Sequence, residues 1–70
     1  MRIRLTDPAL LRDLADFLRR AECAVEQANN NELKVGIPGA SDAAQARREI
    51  SIYVATWQPR NPGIDAQIVD

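Results

Sequence analysis

The chain has no histidine, one cysteine, one each of phenylalanine, tyrosine and tryptophan, and three glycines. Without imidazole it lacks the usual general base near neutral pH and the commonest metal ligand. A zinc site would have to combine Cys23 with carboxylates, an unusual donor set. A nucleophilic Cys23, Ser41 or Ser51 would find no imidazole to take its proton. A lone cysteine closes no internal disulfide, which removes the staple of small secreted domains and points to a reducing compartment. No run approaches the roughly 18 apolar residues of a membrane span, and Met1-Arg2-Ile3-Arg4-Leu5 is no signal-peptide core. A cytoplasmic protein with no membrane partner is expected. Charge of one sign is also missing: nine basic residues face ten acidic ones, for a formal charge of −1. Nothing in that balance attracts nucleic acid or an anionic surface over long range.

What is present is one small core. Seventy residues make a single domain spanning 1–70, because so short a chain buries only about 60% of its unfolded surface. Of the 32 residues classed as hydrophobic eleven are alanine, so 21 larger apolar side chains, counting the thiol, supply nearly all the burial. A stability of about 3–5 kcal/mol is expected for such a monomer, and oligomerisation is a common remedy. Eight of the nine basic residues are arginine, which with the abundant alanine points to a GC-rich bacterial source.

Arg2-Ile3-Arg4-Leu5 alternates as a half-buried strand does. Asp7 can cap and Pro8 can open a helix in which Leu10, Leu11, Leu14, Phe17, Leu18 and Ala21 share one arc. Arg12, Asp13, Asp16, Arg19 and Arg20 fill the other, with Asp16 spaced to pair with Arg12 and Arg20. Cys23–Ala28 and Glu32–Ile37 read as a hairpin around Asn29-Asn30-Asn31, asparagine being tolerant of left-handed backbone. Ser41 is the expected cap of a second helix whose buried face is Ala43, Ala46, Ile50, Tyr53, Val54 and Trp57, ending near Gln58. Ile64, Ala66 and Ile68 alternate with Asp65, Gln67 and Val69 in a last strand.

The order strand, helix, strand, strand, helix, strand predicts an α+β fold: a ferredoxin-like βαββαβ sandwich with two helices on one face of a four-stranded antiparallel sheet. At the level of topology the chain resembles the ACT-like regulatory and RRM-like modules of that fold, and the short uncharacterised proteins of high-GC bacteria with the same element order. An ACT module usually carries a glycine-containing ligand loop after its first strand, where this chain has Thr6-Asp7-Pro8. An RRM stacks bases on aromatic residues of its open sheet face. Here the open face should carry Arg2, Arg4, Ala24, Glu26, Glu32, Lys34, Gly36, Asp65, Gln67 and Val69, without an aromatic ring, and Arg2 and Arg4 should lie beside Asp65 and Gln67.

No catalytic, metal or cofactor residue is nominated. The run Gly39-Ala40-Ser41 enters a helix N-terminus and is a candidate anion site. Ile52, about 180° from the buried arc of its helix, forms a candidate interaction surface with Arg48, with Trp57 if that ring stays partly exposed, and with Val69 on the open sheet face. The reading that follows is a non-enzymatic module acting through protein contacts, with itself as a homodimer or with another protein. A small-ligand sensor of ACT type, for an amino acid or anion, is the alternative, and a nucleic-acid binder using Arg47, Arg48 and Arg60 stands third.

Overall fold

Alternating Arg2-Ile3-Arg4-Leu5 forms β1 (Arg2–Leu5), with both arginines exposed and both apolar residues buried. The computed structural model describes residues 1–69. After β1 come a 3-10 turn (Pro8–Leu10), α1 (Leu11–Arg20), β2 (Ala24–Asn29), β3 (Glu32–Gly36), α2 (Ala43–Trp57), a second 3-10 turn (Gln58–Arg60) and β4 (Ala66–Val69). The sheet order is β2-β3-β1-β4 with every neighbour antiparallel, the ferredoxin-like arrangement. Ile3, Leu5, Leu33 and Val35 of the sheet pack with Leu11, Leu14, Ala15 and Leu18 of α1 and with Ile50, Val54 and Trp57 of α2. Ile37, Ile64, Ala66 and Ile68 are half-buried around this core.

The helix ends show which local signals operate. Asp7 accepts the Ala9 N–H at 2.9 Å and caps the 3-10 turn that leads into α1. At the other end of α1 the Cys23 N–H donates to the Leu18 carbonyl and the Glu22 N–H to the Arg19 carbonyl, the paired bonds of a Schellman ending. Glu22 occupies the left-handed position of that motif with φ 66°. A side chain there costs roughly 1–2 kcal/mol, partly offset in a glycine variant by about 0.4–1 kcal/mol of added unfolded-state entropy. Glu22→Gly should therefore raise stability by about 0.5–1 kcal/mol in urea unfolding. An unchanged or lower midpoint would mean that Glu22 is not strained.

Two expectations need correction. The hairpin link Asn30-Asn31 uses no left-handed backbone, since neither residue has positive φ. Asparagine works here through its side chain: Asn29 Oδ1 accepts the Asn31 N–H at 3.1 Å, and a register shift between Gln27 and Asn29 accommodates the turn. Nor does Ser41 cap α2. The cap is Asp42, whose Oδ1 accepts the Gln45 N–H at 2.8 Å. Gln45 in turn folds back to accept from both the backbone N–H and the hydroxyl of Ser41. Ahead of this, Ile37-Pro38-Gly39-Ala40 is a turn closed by the Ala40 N–H on the Ile37 carbonyl, with Gly39 at φ 83°. Positive φ at the third residue, supplied here by glycine, is what a type II turn requires, and proline is common at its second.

Candidate functional site

The two faces of the sheet differ in kind: helices cover one, and the other is bare. Across the bare face run two rows fixed by the register, Glu26-Lys34-Arg2-Val69 and Asn29-Glu32-Arg4-Gln67, with Ala24 opposite Gly36 beyond them. Its centre is Glu32, whose side chain is only 6% exposed although no helix lies above it. Arg4 covers it, with Nε donating to Oε2 at 2.9 Å and Nη2 at 2.8 Å from the same oxygen. Asn29 Nδ2 donates to Oε1 at 2.7 Å, and Arg2 Nη1 stands 3.5 Å from that oxygen. The Asn29 bond first, then the Arg4 bond and the charges of both arginines, hold this carboxyl below the usual glutamate range, against an opposing effect of burial.

Arg2 and Arg4 were expected beside Asp65 and Gln67. Gln67 is indeed opposite Arg4, but Asp65 pairs with Thr6, accepting the Thr6 N–H at its carbonyl and donating its own N–H to Thr6 Oγ1. Glu32, on the other neighbouring strand, takes both arginines. With their charges spent on a buried carboxylate and no aromatic ring in either row, the bare face lacks the features that hold nucleic-acid bases. Arg47 and Arg48 lie in the first half of α2, and Arg60 ends the 3-10 turn that follows the helix.

The residues singled out for chemistry are otherwise engaged. Cys23 is buried, and burial, then the charge of Glu49, pushes its thiol up, away from the reactive thiolate. Asp13, read as part of a solvated charge face, accepts the indole N–H of Trp57 at 2.8 Å and so ties α1 to the end of α2. Asp16 pairs with Arg19 at 3.6 Å, not with Arg12 or Arg20. Among the described residues no three of His, Cys, Asp and Glu lie close enough to hold a metal ion. At Gly39, Ala40 and Ser41 the helix N-terminus already carries the Asp42 carboxylate, and both polar groups of Ser41 are taken by Gln45. An anion there would face a resident negative charge.

The candidate interaction surface also divides. Ile52 is 58% exposed, the one large hydrophobic residue so placed among those described, and Arg48 lies one turn before it on the same outer face of α2. Trp57 is only 1% exposed and belongs to the core, because the residue sits on the sheet side of α2 with its N–H satisfied by Asp13. Val69 stands beside Arg2 on the bare sheet face, on the opposite side of the molecule from Ile52.

Sequence reading missed the difference between the two sheet edges. In an antiparallel ladder, alternate residues direct both backbone groups toward one neighbour. The bond from the Thr6 N–H to the Asp65 carbonyl sets that phase for β4, so Gln67 and Val69 bond to β1 while Ala66 and Ile68 point their N–H and C=O outward. By the same alternation Val25 and Gln27 point outward from β2. The β2 edge is guarded: Arg19 Nη2 reaches over it to the Val25 carbonyl at 3.4 Å, Glu26 charges it, and the irregularity at Gln27/Asn29 bends it. β4 has none of these devices. Ala66-Gln67-Ile68-Val69 carries no charge, proline or bulge, and among the described residues no side chain bonds to the outward groups of Ala66 or Ile68.

The chain matches no protein-family model, no curated protein and no solved structure. The ferredoxin-like arrangement accordingly rests on strand order and register alone, and strand order carries no activity with it. No helix is long and apolar enough to cross a membrane among the described residues.

Proposed function

We propose that this chain is a non-enzymatic module that acts through protein contacts, and first of all through contact with itself. The observation that supports it is the contrast between the edges: β2 is blocked by Arg19, Glu26 and its irregularity, whereas β4 offers the backbone groups of Ala66 and Ile68 unopposed. An exposed, uncharged edge strand is a template for another strand, and proteins that stay monomeric blunt such edges. The small core adds a reason, since association supplies burial that 70 residues cannot supply alone. Sedimentation equilibrium at physiological salt tests the reading. A mass that rises from monomer to dimer between micromolar and millimolar concentration is expected. A monomer mass throughout, with no protein partner recovered at stoichiometric yield, contradicts it.

A further inference from the structure

We infer that two copies join β4 to β4 about a two-fold axis through Gln67, making one eight-stranded antiparallel sheet. This rests on the reading of the chain as a self-associating module and specifies its contact. The register follows from hydrogen-bond parity. Only residues whose backbone groups point outward can form the bonded pairs of a new ladder, and in β4 these are Ala66 and Ile68. An antiparallel self-pair that satisfies all four groups within β4 sets Ala66 opposite Ile68 of the second copy, and Ile68 opposite its Ala66. Gln67 then faces Gln67 across the axis as a non-bonded pair, about 4.5 Å apart at Cα.

The surroundings suit a second copy better than another occupant. Pairing by β2 would bring a row bearing Glu26 against its own copy, whereas β4 meets itself without like charges. Ala66 and Ile68, half-buried on the helix side, would each cover the other's exposed area. Four residues of strand cannot alone bury the roughly 800 Å² per partner of a standard interface. A contact of this size suits association between micromolar and millimolar concentration.

The test uses the full chain and three substitutions at two positions of the bare face, Gln67 and Val69, where none disturbs the core. Gln67→Cys should form an intermolecular disulfide under mild oxidation, since a non-bonded antiparallel pair meets the spacing a disulfide needs. Val69→Cys, about 14 Å from its own copy in this register, should not. The wild type, with only buried Cys23, is the blank. Gln67→Glu lies opposite Arg4 within its own chain but puts two carboxylates face to face on the axis. It should weaken the dimer at least about tenfold at neutral pH and restore it on acidification. If the wild type dimerises but Gln67→Cys fails to cross-link and Gln67→Glu changes nothing, the β4 contact is overturned while self-association stands. A wild type that is monomeric at millimolar concentration overturns both.

Discussion

Trp57→Ala is expected to leave the chain unfolded at room temperature. Trp57 is the largest fully buried side chain and sits where α2, α1 and the sheet meet. Truncating such a ring costs about 3–5 kcal/mol, the transfer energy of the lost atoms plus the cavity left behind. A domain of this size has about 3–5 kcal/mol in all. Far-UV circular dichroism and urea titration should show no cooperative transition. A milder pair of changes separates volume from the hydrogen bond to Asp13. Asp13→Ala removes the acceptor of a nearly buried indole N–H and should cost about 1–2 kcal/mol. In a Trp57→Phe background, where no N–H remains, the same change should cost almost nothing. Equal costs in both backgrounds would show that Asp13 acts through its helix and not through the ring.

The second large effect is on acid stability, and its sign follows from Glu32. Its carboxyl titrates below the ordinary glutamate range in the folded chain, because Asn29 and Arg4 bond to the ionised form and Arg2 adds its charge. The unfolded chain therefore binds the proton first as pH falls. Stability from this site is complete above the ordinary glutamate pKa and is lost as pH drops through the lowered folded value. Glu32→Gln should be less stable than the wild type at pH 7, and the two stabilities should converge in acid. A gap that stayed constant with pH would mean that the loss comes from packing and not from charge.

Those two side chains also mark how far the sequence alone could be read. The faces of β1 and of both helices were legible, because burial of one face imposes a period and Ile3, Leu5, Leu14, Leu18, Ile50 and Val54 follow it. Element order then led to the sheet topology. Partners distant in sequence were not legible. Glu32 is 28 residues from Arg4, and Trp57 is 44 from Asp13. Alternation could place Glu32 on the bare face, but only the register shows two arginines closing over it. The cap of α2 is different, since its signal was present: Asp42 followed three residues later by Gln45 is an acidic form of the capping box, and Ser41 drew the assignment one residue early. The edges were hidden for another reason. Whether a backbone group points inward or outward depends on ladder phase, which a single bond between Thr6 and Asp65 sets.

The proposed self-association rests on the edge of β4, which carries no charge, proline or bulge and, among the described residues, no covering side chain. Amide hydrogen exchange followed residue by residue, as protein concentration is raised from micromolar to millimolar, tests that claim most directly. The N–H groups of Ala66 and Ile68 should exchange fast in dilute solution and slow as concentration rises, while those of Val25 and Gln27 on the guarded edge stay fast. Exchange at Ala66 and Ile68 independent of concentration, or slowing that appears at Val25 and Gln27 instead, would contradict the account.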